Sequence, residues 1–181
     1  LPKLVVLGVG LIGGSFALAL KARGVVGEVV GVGRSRGNLD EAVANGVIDR
    51  AVLRDGPWVR ELGDADIVLL ATPVGEFPAL LAAMPGTLAE GAVVTDGGST
   101  KQDVVAAARA HLGAALPRFV PAHPIAGTEQ SGAGAAFATL FEGRHAVLTP
   151  LPETDATALA RVRTLWEACG ADVVTLDAPT H

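Results

Sequence analysis

At 181 residues, half of them hydrophobic and 18 % charged, the chain can bury a sizeable core, so one ordinary domain, or a domain plus a fragment, is expected and global disorder is excluded. Nineteen acids against fourteen Lys and Arg give a net charge of −5 without a basic run, which excludes generic nucleic-acid binding. A single cysteine, Cys169, excludes an internal disulfide framework and is expected as a small buried side chain beside a helix end. No apolar stretch reaches the ~20 residues that span a bilayer. With no basic leader and cleavage site, the expectation is a soluble, cytoplasmic protein.

The chain opens on an apolar run, Leu4-Val5-Val6-Leu7, which reads as a strand buried on both faces. It runs into Gly8-x-Gly10-x-x-Gly13, and a helical pattern starts at once with Phe16, Leu18 and Leu20. In a strand–turn–helix setting these glycines allow a tight turn, a close approach to a pyrophosphate and a close helix–strand contact. Leu11 and Ile12 lie between the second and third glycines, and a diphosphate would sit at the helix N-terminus. A second buried strand is expected at Glu28–Gly33. Its end decides the nucleotide: an acid there would accept from a ribose 2′-OH, but the sequence is Gly33-Arg34-Ser35-Arg36. Two arginines and a hydroxyl suit a 2′-phosphate, so NADP is expected ahead of NAD.

A short helix is expected at 38–45, closed by Gly46, and an irregular stretch at 47–63, where Trp58 serves packing. Asp66–Ala71 reads as a strand that delivers Thr72 and Pro73 to the ligand edge, with Ala71 just before them. A helix at 76–84 follows, then a strand at Ala92–Asp96, the loop Gly97-Gly98-Ser99-Thr100-Lys101, and a helix to Leu112. Phe119–Ala122 reads as a strand ending at His123. Gly132 and Gly134 mark a loop, Arg144–Thr149 a strand, 154–168 an amphipathic helix capped by Gly170, and Ala171–Leu176 a last strand. The alternation predicts an α/β, Rossmann-type doubly wound and mainly parallel sheet with helices on both faces. Residues 1–181 read as one dinucleotide-binding domain, with a core at about 1–150 and a closing strand–helix–strand at about 144–177.

Three strand ends carry Thr72, Ser99 and His123 to one edge. Imidazole, with an ordinary pKa near neutrality, can take a hydroxyl proton while a nicotinamide takes hydride, and Ser99 could orient it. His111 is expected at the surface, and His145 in packing or as a backbone partner; no role is assigned to His181. No histidine has metal-ligand spacing with cysteines or carboxylates, so no metal is expected.

Four motifs occur in order: Gly8-x-Gly10-Leu11-Ile12-Gly13-Gly14-Ser15, Ala71-Thr72-Pro73-Val74, Asp96-x-Gly98-Ser99-Thr100-Lys101 and His123-Pro124-Ile125-Ala126-Gly127-Thr128-Glu129-x-Ser131-Gly132. Together they resemble the prephenate/arogenate dehydrogenases of tyrosine biosynthesis. The resemblance implies oxidative decarboxylation of prephenate, arogenate or both, giving 4-hydroxyphenylpyruvate or tyrosine. It implies His123 as the catalytic base and Ser99 between that histidine, the substrate and the nicotinamide, with Thr128 lining the substrate pocket. Gly33-Arg34-Ser35-Arg36 is similar to the NADP-using members. The family also implies a helical C-terminal domain that forms a homodimer and completes the substrate site. This sequence ends about where that domain would begin, so alone it is expected to bind nucleotide with little or no turnover. Other NADP-dependent oxidoreductases, of the β-hydroxyacid dehydrogenase or imine-reducing type, and a non-catalytic NADP-sensing domain remain as alternatives.

Overall fold

The opening apolar run becomes the centre of the molecule. In the computed structural model, which describes residues 2–127 and 131–176, β1 (Lys3–Leu7) is buried along its whole length. A strand without a polar face must have cover on both sides. Its alternation shows this: Leu4 and Val6 enter one core, Val5 and Leu7 the other. β2 (Glu28–Gly33) and β4 (Ile67–Leu70) flank β1, both parallel to it. β3 (Arg50–Leu53) lies outside β2, and β5 (Val93–Asp96) and β6 (Phe119–Val120) extend the sheet beyond β4. The order β3-β2-β1-β4-β5-β6 reverses between β1 and β4, so the connections leaving these strands diverge. That leaves a crevice at the carboxyl edge, where ligands bind in open α/β sheets.

α1 (Leu11–Ala22), α2 (Arg36–Ala44) and α5 (Ala156–Ala168) cover the face of Leu4 and Val6 through Phe16, Leu39 and Trp166. α3 (Phe77–Ala82) and α4 (Lys101–His111) cover the other through Phe77, Leu80 and Val104. The Trp166 ring lies 4.8 Å from that of Phe16 and 5.1 Å, edge-on, from that of Phe141. Cys169, just after α5, is buried, as expected of it.

Three features depart from the expected arrangement. The stretch 47–63, read as irregular, contains the edge strand β3; its four residues carry too little alternation to stand out, and it opens on charged Arg50 directly after Asp49. The helix expected at 76–84 is shorter, with a 3-10 turn at Val74–Glu76 before α3. The strand expected at Phe119–Ala122 is two strands. β6 ends at Val120, and β7 (Ala122–Pro124) pairs antiparallel with β8 (His145–Leu148), which pairs parallel with β9 (Asp172–Thr175). The last strands therefore form a second, three-stranded sheet instead of extending the first. Pro121 marks the switch: it has no N–H to offer a ladder, and its carbonyl already accepts from Thr149 N, at 3.0 Å, in the second sheet's connection.

Candidate functional site

The turn after β1 has the form a diphosphate needs. Gly8 has φ +98°, and a Cβ on it would lie 2.7 Å from the backbone of Ala71 and Thr72. Any other residue there would be strained and would clash. A Cβ on Gly13 would lie 2.8 Å from Val6 Cγ1, so this glycine lets α1 press against β1. Gly10 differs: a Cβ there would meet nothing within 4 Å. It precedes α1, whose N-terminus has neither a side-chain cap nor an acid in its first turn. Open space before uncapped amides at a helix N-terminus fits an anionic group.

One end of the crevice is a cleft of about 290 Å³, lined by Gly8, Gly10, Gly33, Arg34, Ser35 and Thr72 among others. Ser35 Oγ accepts from Asn38 N at 3.1 Å and so caps α2. Arg34 reaches the carboxylate of Glu76 at 3.2 Å, and Arg54 donates to the same oxygen at 2.7 Å. Arg36 is the first residue of α2, exposed and outside the lining of this cleft. Leu11 starts α1, half-buried against the core. Asn38, Arg54 and Glu76 line the cleft too and escaped the sequence reading. Asn38 Nδ2 donates to Val9 O at 2.7 Å while Oδ1 accepts from Ala133 N at 2.8 Å, tying the glycine turn to the 132–136 loop. Only long-range partners distinguish this asparagine from an ordinary helix residue.

A second hollow, of about 450 Å³, is lined by Ile12, Thr72, Pro73, Ser99 and His123, among others. Ala71, Thr72 and Pro73 line both spaces, so one crevice runs from Arg34 to His123 across the glycine turn. The three strand-end residues, Thr72, Ser99 and His123, thus lie together as expected. His123 is half-buried on β7, opposite Val147, and Ser99 is exposed in the loop before α4. Thr128 lies outside the described residues. His145 is exposed rather than packed, though its carbonyl does accept from Ile125 N at 2.8 Å; His111 is half-buried.

Beneath Ser99 and His123 sits an ion pair, Asp96 and Lys101, with both side chains out of contact with water. Asp96 Oδ2 accepts from Lys101 Nζ and from Gly98 N, and Oδ1 accepts from Ala122 N at 3.0 Å. Lys101 Nζ also donates to Ala122 O at 2.6 Å. The pair therefore grips both backbone groups of the residue before His123, and one of the loop before Ser99. Burial pushes the carboxyl up and the ammonium down, and their mutual attraction opposes both shifts. Only the ionised carboxylate accepts all three hydrogen bonds at once. Both residues belong to the Asp96-x-Gly98-Ser99-Thr100-Lys101 motif, but their pairing with each other and with Ala122 appears only in the folded chain.

A family profile described as prephenate dehydrogenase, nucleotide-binding domain, matches residues 16–175. The chain is 35 % identical over 176 residues to a cyclohexadienyl dehydrogenase of Zymomonas mobilis, covering 97 % of this chain and 58 % of that protein. It superposes on the structure of prephenate dehydrogenase from A. aeolicus in complex with hydroxyphenyl propionate and NAD+, with a TM-score of 0.90 and 34 % identity, covering 100 % of this chain and 62 % of that one. For Synechocystis arogenate dehydrogenase the TM-score is 0.85 with 32 % identity, covering 99 % and 61 %. The chain spans between 46 % and 58 % of the curated relatives it matches. With a two-ended crevice on a six-stranded parallel sheet and a profile match over most of its length, this chain belongs to the prephenate dehydrogenase family, as its nucleotide-binding domain.

Proposed function

We propose that residues 1–181 are the nucleotide-binding unit of an NAD(P)-dependent dehydrogenase that oxidatively decarboxylates prephenate, arogenate or both, yielding 4-hydroxyphenylpyruvate or tyrosine. The observation that carries this reading is the continuity of the crevice. The uncapped helix N-terminus after Gly10 and the Arg34 cleft at one end run, through Thr72 and Pro73, to Ser99 and His123 at the other. A dinucleotide laid along it places its diphosphate on α1 and its adenosine ribose near Gly33, Arg34 and Ser35. The absence of a carboxylate at Gly33 and the cation of Arg34 favour NADP over NAD. The A. aeolicus relative, which binds NAD+, supports a nicotinamide cofactor in general.

Bound along this crevice, a nicotinamide would supply the hydride acceptor for the ring carbon that bears the hydroxyl. His123 takes the hydroxyl proton, so that oxygen becomes a carbonyl as the C–H pair departs. Loss of carbon dioxide from the quaternary carbon returns that bond's electron pair to the ring, which becomes aromatic, and the oxygen is protonated to the phenol. Ser99 orients the imidazole or the substrate hydroxyl. Arg36, exposed at the start of α2, contributes at most long-range charge. The complete protein works as a homodimer in the cytoplasm.

The test is cofactor reduction by a chain extended past His181 to the full length of its relatives, offered each substrate with NADP+ and with NAD+. Turnover with at least one substrate is expected, faster with NADP+, and H123N lowers kcat by at least about 10²-fold. No reduction with any of the four pairs would overturn the assignment.

A further inference from the structure

The adenosine end of the cleft holds an ionic cluster that the motif at 33–36 does not disclose. Arg54 follows β3, and its own N–H donates to Gly33 O at 2.8 Å, so the sheet ladder places it next to the end of β2. Its guanidinium meets Glu76 Oε1 at 2.7 Å, and the Arg34 guanidinium lies 3.2 Å from the same oxygen. Arg54 and Glu76 are 17 % and 20 % exposed, whereas Arg34 is 70 % exposed. All three line the cleft that contains Gly33 and Ser35. Arg34 and Arg54, with the exposed carboxylate of Asp55, also line an adjoining hollow of about 430 Å³.

Two guanidiniums that share one carboxylate oxygen retain a net positive charge and most of their ten N–H donors. Each presents a planar fork matched to phosphate oxygens. A phosphate monoester brings about two negative charges and three acceptor oxygens near neutral pH. It therefore offers these arginines more than Glu76 does, while a ribose 2′-OH offers them nothing comparable.

Resting on the dinucleotide site proposed above, we propose that Arg54 is a second cationic ligand for the ribose 2′-phosphate. Glu76 is the internal anion with which that phosphate competes, and the three residues together set the discrimination between NADP and NAD. Arg54 owes its position to the β2–β3 ladder, so removing the Glu76 charge leaves the arginine in reach and removes its competitor. Arg34, the more exposed and more loosely held of the two, is the first to transfer from Glu76 to the phosphate.

The experiment is calorimetric titration of residues 1–181 with NADP+ and with NAD+, for wild type, R54A, R54K and E76Q, each checked for an unchanged thermal midpoint. Wild type is expected to prefer NADP+. R54A should weaken NADP+ about tenfold and leave NAD+ within about twofold. R54K, which keeps the charge but loses the fork, should fall between them. E76Q should tighten NADP+ several-fold without changing NAD+. If the arginine variants weaken both nucleotides equally or neither, or if E76Q weakens NADP+, the inference is overturned while the dinucleotide site stands. A wild-type preference for NAD+ would overturn it too. Failure of the wild type to bind either nucleotide would instead remove the proposed function on which it rests.

Discussion

Gly8 and Gly10 sit two positions apart in one motif and answer to different physics. Gly8 is required by the backbone, with φ +98° and the Ala71–Thr72 peptide 2.7 Å from where a Cβ would be. G8A should therefore cost at least about 2 kcal/mol of stability, from strain and collision together. Gly10 is required by nothing in the folded chain itself, since a Cβ there has open space around it. G10A should unfold within about 0.5 kcal/mol of wild type, yet lose at least about tenfold in nucleotide affinity, because its methyl group occupies the approach to the diphosphate. Urea unfolding and nucleotide titration of the two variants separate these effects; a G10A protein that binds as wild type would show that the diphosphate lies elsewhere. Cys169 has no such ligand-facing role, as burial pushes its thiol up to about 12, leaving it a packed apolar group.

At the scale of elements, the decisive feature is the switch between sheets at Pro121. β6 belongs to the nucleotide sheet and β7 to the second one, and the residue between them has no N–H to bind either ladder. Thr95 Oγ1 donates to Val120 O at 2.7 Å on one side of the switch. Asp96 and Lys101 hold Ala122 on the other. D96N leaves a buried ammonium without its counter-ion and should cost about 3–5 kcal/mol in urea unfolding. The D96N/K101M double variant should lose clearly less than the sum of the single losses, because the two charges are coupled; strict additivity would count against the pairing.

A different network fixes the far edge of the sheet. Glu61, in the 3-10 turn Trp58–Asp64, accepts from Arg50 Nη1 and Nη2, each at 2.7 Å, and from Lys3 Nζ at 3.0 Å. The Arg50 hydrogen bonds, with Lys3 and against burial, hold its carboxyl down at about 2. A group depressed in the folded state stabilises above its unfolded pKa, near 4.5, and that stabilisation is lost as pH falls through the folded value. Through Glu61 the thermal midpoint should therefore be independent of pH near neutrality and decline from about pH 4.5 toward 2. E61Q should flatten part of that decline while lowering stability at pH 7; an acid limb identical to wild type would exclude Glu61 as its source.

For the whole molecule, the two ends of the crevice belong to one cooperative unit if they bind one ligand. A nucleotide that binds only the folded chain adds about 2.7 kcal/mol at a hundred times its Kd, which for a chain of this size raises Tm by roughly 5–10 °C. NADP+ should produce that shift in residues 1–181, with a single transition before and after. A shift produced equally by adenosine alone would place the affinity outside the diphosphate and 2′-phosphate contacts.

The sequence by itself determined β1, the glycine turn and α1, because both the period of the apolar residues and the φ demanded of Gly8 are local properties. It also determined the convergence of Thr72 and Ser99, since each follows a strand of the parallel sheet and such strands deliver their loops to the same edge, whereas His123 reaches that hollow from β7 of the second sheet. What it left undecided depends on partners distant in the chain. β3 exists because β2 offers a free edge, not because Arg50–Leu53 has a strong strand pattern of its own. The division of 119–124 between two sheets rests on Thr149, Asp96 and Lys101, which lie 20 or more residues away. Arg54, within the stretch read as irregular, and Glu76, at the start of an expected helix, carry no local sign of a shared site until the fold brings both to the Arg34 end of the cleft. Local periodicity specifies which segments are strands and helices; only tertiary packing decides which charges meet, because burial makes an unpaired charge too costly to leave alone.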